Sequence, residues 1–70
     1  MFISYRESLV NLNYVAHIHL FENEIHFIGK ELGQKDENMI NFESWYFKSN
    51  EEAEIIYNKL LVKVGAHTFD

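Results

Sequence analysis

The chain contains no cysteine. Neither disulfides nor a thiolate zinc site can therefore brace it, and a secreted disulfide scaffold is excluded. Glycine is scarce: Gly29, Gly33 and Gly65 stand too far apart to form a phosphate-cradling loop. Clustered cations are also missing. Arg6 and the scattered Lys30, Lys35, Lys48, Lys59 and Lys63 face eleven acidic residues, for a net charge of −5. Phosphate binding needs grouped cations that displace counterions, so no nucleic acid is expected as a partner. The same charge favours solubility and could complement a basic protein surface.

Long apolar runs are absent too. The opening Met1-Phe2-Ile3-Ser4-Tyr5-Arg6 lacks the basic stretch and the apolar core of a signal peptide. The expectation is a cytoplasmic protein with no membrane association. Nucleophilic catalysis has no visible support: Ser4, Ser8, Ser44 and Ser49 lack a nucleophile elbow or a glycine-rich turn. The adjacent acids Glu51 and Glu52 are explained more simply by a helix start than by acid/base work. No enzyme is expected.

What is present is apolar and aromatic. Of 70 residues 47% are hydrophobic and 16% aromatic, well above a disordered composition. One domain is expected over residues 1–70. A chain this short seldom draws more than about 3 to 5 kcal/mol from a single core. Additional support has to come from close packing, self-association or metal.

Phe2 to Tyr5 reads as a short strand, Arg6-Glu7-Ser8 as a turn and Leu9-Val10-Asn11 as a second apolar segment. Asn11-Leu12-Asn13 should interrupt it, because asparagine side chains bond nearby backbone. From Val15 to Phe21 the alternation places Ala16, Ile18 and Leu20 on one face and Val15, His17, His19 and Phe21 on the other. Glu22-Asn23 suits a two-residue hairpin loop. The return strand, Glu24 to Gly29, then sets Leu20 opposite Ile25, Ile18 opposite Phe27 and His19 opposite His26. A bulge would break this parity.

Lys30 to Asn38 is polar and reads as a loop, the most mobile segment expected. Met39 to Phe47 recovers strand character, with Ile40, Phe42 and Tyr46 alternating against Asn41, Glu43, Trp45 and Phe47. Ser49-Asn50-Glu51-Glu52 fits a capping box. Acids near the helix start, Lys59 and Lys63 near its end, and Gly65 beyond complete the helix signature. Ala53, Ile56, Tyr57, Leu60, Leu61 and Val64 form one stripe that should cover the Ala16, Ile18, Leu20, Ile25 and Phe27 face.

These elements predict an α+β fold, a small antiparallel sheet of three to five strands with a central hairpin and one C-terminal helix packed on one face. The order of a hairpin, another strand and a capped Ser-x-Glu-Glu-Ala helix resembles that of many short bacterial and phage proteins. It brings no diagnostic residues, so no function is carried over.

His17, His19 and His26 are the most informative feature, since strand parity gathers all three on one sheet face. As a metal site they offer the three imidazoles of a catalytic zinc centre, with Glu24 as a fourth ligand or base. No carboxylate is evident to orient the rings, however. The flanking Val15, Phe21 and Ile28 make the face too apolar for a free surface and too polar for a core. That composition suits an interface. Packed neutral imidazoles resist protonation, so an assembly through this face should loosen as pH falls through ~6.5.

Glu43-Ser44-Trp45-Tyr46-Phe47 is the second conspicuous segment. Trp45 and Tyr46 are typical binding anchors, although such residues more often sit in a core with one wet polar tip. The sequence reading is thus a small non-enzymatic protein-binding module, an inhibitor or adaptor, that forms a homodimer or higher homo-oligomer. Its expected surface is His17, His19, Phe21, His26 and Ile28 with Trp45 and Tyr46 beside them, and no cofactor is expected. The alternatives are a zinc protein using His17, His19 and His26, or an oligomeric sponge stacking a nucleotide base on Trp45 or Tyr46.

Overall fold

The fold is described from a computed structural model covering residues 1–30 and 39–67. Most of the polar loop expected to be mobile, residues 31–38, lies outside the described residues. The architecture is α+β, with five antiparallel strands in two sheets and one C-terminal helix among the described residues. β1 (Phe2–Tyr5) and β2 (Ser8–Asn11) form a hairpin, and β3 (Val15–Phe21), β4 (Glu24–Gly29) and β5 (Ile40–Tyr46) form a sheet with β4 in the middle.

Two sheets arise because the chain is redirected after β2. The Asn11 side chain accepts from the Asn13 amide at 3.0 Å and caps a single 3₁₀ turn, Leu12–Tyr14. Gly29 lies against that turn: a Cβ there would run into the Tyr14 carbonyl, which also accepts from the Lys30 amide at 3.0 Å. Only glycine permits this approach.

The β3–β4 register is the expected one, with Leu20 opposite Ile25, Ile18 opposite Phe27, His19 opposite His26 and Phe21 opposite Glu24. Two bulges correct the face assignments elsewhere. Val15 pairs with Gly29 and His17 with Ile28, which leaves Ala16 as the extra residue. Val15 therefore packs on the core and Ala16 is exposed, the reverse of simple alternation. In β5 the partners step from Glu43 to Asn41, so Phe42 is extra and Asn41 shares a face with Ser44 and Tyr46.

The core comprises Val10, Ile25, Phe27, Trp45, Phe47, Ala53 and Leu60. Trp45 is 4% exposed and meets Phe27 edge-on at a ring-centroid distance of 4.6 Å. Tyr5 of β1 packs on Trp45 at 5.3 Å and on Phe47 at 4.9 Å, joining the hairpin to the sheet. A polar link reinforces that junction. Trp45 Nε1–H donates to Ser8 Oγ at 2.9 Å, and Ser8 Oγ–H donates to Glu43 Oε2 at 2.7 Å. The indole proton is thus satisfied inside the core, as a buried donor requires.

α1 (Asn50–Lys63) starts at Ser49, whose Oγ accepts from the Glu52 amide at 3.1 Å. It ends in a Schellman motif: Gly65, at φ +70°, donates to the Val62 carbonyl and Ala66 to that of Leu61. The helix packs on β3 and β4 through Ala53, Ile56, Tyr57 and Leu60. The expected stripe is shorter than drawn, because Val64 at its end is 41% exposed. Among the described residues no helix is long and apolar enough to cross a membrane.

Candidate functional site

Directly paired residues of an antiparallel sheet point to the same side. The two registers therefore define the outward face of β3–β4–β5 as three rows of three. His17, Ile28 and Asn41 form one row, His19, His26 and Ser44 the next, and Phe21, Glu24 and Tyr46 the last. Ile18, Leu20, Ile25, Phe27 and Trp45 lie on the opposite, helix-covered side. Six of the seven residues expected to form a surface, Tyr46 among them, come together in this grid. Trp45 does not.

Its burial is a correction with a plain cause. Trp45 sits opposite Ile25, so pairing sends its ring inward, where Phe27 and Tyr5 hold it. Tyr46, one residue on, points outward and is 62% exposed. Phe21, at the other end of the same row, is also 62% exposed. Two aromatic side chains thus flank Glu24 with most of their surface in water.

The histidines divide into two kinds. His17 and His19 are exposed, and their rings meet edge to face at a centroid distance of 5.6 Å. His26 is half-buried and held from both sides. With its oxygen toward the ring, the Asn41 amide accepts from Nδ1–H at 2.6 Å and from Ser44 Oγ at 3.1 Å, while its nitrogen donates to the Glu43 carbonyl at 2.8 Å. His26 Nε2 is buried and lies 3.4 Å from Glu24 Oε1 without forming a hydrogen bond.

This division bears on the expected zinc site. His26 turns a buried Nε2 toward Glu24, leaving only His17 and His19 side by side with exposed rings. Among the described residues, no group of three histidine or acidic side chains is placed to hold one ion. Asn41 and Ser44 are the site residues that sequence reasoning missed. The Phe42 bulge hid Asn41, since simple alternation assigns it to the Trp45 side. Ser44 could have been found from the Tyr46 parity.

No protein-family model matches the chain, and no curated protein or solved structure matches it. The functional reading rests on the geometry.

Proposed function

We propose that this protein is a small non-enzymatic protein-binding module of the cytoplasm, an inhibitor or adaptor that works by covering a partner's surface. The outward sheet face is its contact surface, and a second copy of the chain is its first occupant. The observation that carries this reading is the exposed pair Phe21 and Tyr46, each 62% exposed and separated only by Glu24. Exposed aromatics around a polar centre are the composition of interface anchors. The grid measures only about 10 by 13 Å from strand spacing and rise. A contact of ordinary size, roughly 800 Å² per partner, has to extend beyond it onto the Glu22-Asn23 loop and neighbouring edges.

The histidines supply the test. On this face His17, His19 and His26 stand with the single carboxylate of Glu24. Mass measured by light scattering near neutral pH should fall toward that of the monomer in His19→Ala with His26→Ala. An assembly that keeps its mass in that variant would remove the histidines from the contact.

A second reading has one observation in its favour. The edge-to-face pair His17 and His19 presents two open imidazoles to a single zinc ion. Binding below about a tenth of an equivalent, with no thermal shift on added zinc, would eliminate it.

A further inference from the structure

On the core side of the three-stranded sheet, a groove of about 490 Å³ runs between β1 and the C-terminal half of α1. That volume falls in the range of ligand-binding clefts. Residues 1–5 all line it. Strand side chains alternate between faces, so a groove touching five in succession follows the strand's edge. β1 pairs only with β2, and this is its unpaired edge.

The backbone direction follows from one hydrogen bond. The Met1 carbonyl accepts from the Leu12 amide at 2.9 Å on the β2 side. Alternate residues turn their backbone groups the same way, so Ile3 and Tyr5 also address β2. Phe2 and Ser4 turn N–H and C=O outward, and among the described residues these groups have no partner.

The facing wall is one helix face, with Ile56, Lys59, Leu60 and Lys63 spaced i, i+3, i+4, i+7. Trp45 and Leu60, 4% and 7% exposed, contribute its most deeply set side chains. Among the described residues no carboxylate lines the groove and neither lysine is in an ion pair. In a chain of net charge −5 this is a locally cationic, apolar trough.

We propose that the groove binds an extended acidic segment of a partner protein, which adds to the free edge of β1 as a further strand. Its backbone meets Phe2 and Ser4, alternate apolar side chains lie toward Trp45 and Leu60, and its carboxylates meet Lys59 and Lys63. Strand addition of this kind takes affinity from main-chain bonds and selectivity from the alternate side chains. An alkyl anion would meet the lysines but make no use of the free strand edge at Phe2 and Ser4, where a peptide gains main-chain bonds. The groove lies away from the histidine face, so each surface can be altered alone.

The probe is a fluorescein-labelled, end-capped hexapeptide of alternating glutamate and valine, followed by anisotropy at low salt, with a lysine–valine peptide as control. Saturable binding of the acidic peptide is expected, with a Kd on the order of 100 μM or tighter. Lys59→Gln with Lys63→Gln should weaken it about tenfold, and added salt should do the same. Ser4→Pro tests the edge itself. Its amide is outside the β1–β2 ladder, where proline is tolerated, so the circular dichroism spectrum should hold while binding falls at least about tenfold. His19→Ala with His26→Ala should bind the peptide as wild type does. No saturable binding, equal binding of both peptides, or binding that survives Ser4→Pro would overturn the proposal. So would saturable binding of dodecanoate with none of the acidic peptide.

Discussion

The two faces of the β3–β4–β5 sheet are built from alternate residues of the same strands, yet one is closed and the other bare. Ile25 and Phe27 are wholly buried beneath α1 and the β1–β2 hairpin, while His17, His19, Phe21 and Tyr46 on the other side are exposed. Among the described residues one helix and one extra hairpin supply the cover, and both pack on the inner side. Folding energy is thus concentrated on the inner face, and the outer face is free to carry contacts the fold does not need.

That division is broken most severely from the inner side. Gly29→Ala drives a Cβ into the Tyr14 carbonyl and should cost at least about 3 kcal/mol. Phe27→Ala should cost about 3 to 5 kcal/mol through lost burial and a residual cavity. Either loss is comparable to the total a core of this size supplies. Both variants should be largely unfolded at 25 °C by circular dichroism, and a cooperative melt near that of wild type would show that the core is elsewhere.

A smaller effect is expected where the hairpin joins the sheet. Ser8→Ala removes the acceptor for Trp45 Nε1 and the donor to Glu43, for a loss of about 1 to 3 kcal/mol in urea titration. On the outer face, His19→Ala with His26→Ala should shift stability by no more than about 1 kcal/mol while weakening self-association. A large loss of stability there would mean the histidines serve the fold. The smallest change should come from the hairpin tip, where Glu22 sits at φ +54°. Glu22→Gly relieves a left-handed conformation and should raise stability by a few tenths of a kcal/mol, measured as a higher urea midpoint.

The inner face was largely legible in the chain. A two-residue loop at Glu22-Asn23 fixes the hairpin register, and the Ser49 cap with Gly65 fixes the helix, because both signals are local and tied to backbone chemistry. The bulges at Ala16 and Phe42 were not legible. An extra residue is accommodated by packing from across the fold, and nothing in the flanking composition marks it. The Ser8–Glu43 bond joins residues 35 apart, beyond any local pattern. Grouping Trp45 with Tyr46 in one surface overlooked local parity instead, since adjacent strand residues point to opposite sides.

The central claim is that the outer face joins copies of this chain, and sedimentation equilibrium at about 100 μM near neutral pH tests it most directly. The wild type should weigh more than the 8.4 kDa monomer. The double variant Phe21→Glu with Tyr46→Glu, altered only at exposed positions, should return to 8.4 kDa with an unchanged circular dichroism spectrum. A wild type already at monomer mass, or a double variant as heavy as the wild type, would contradict the account.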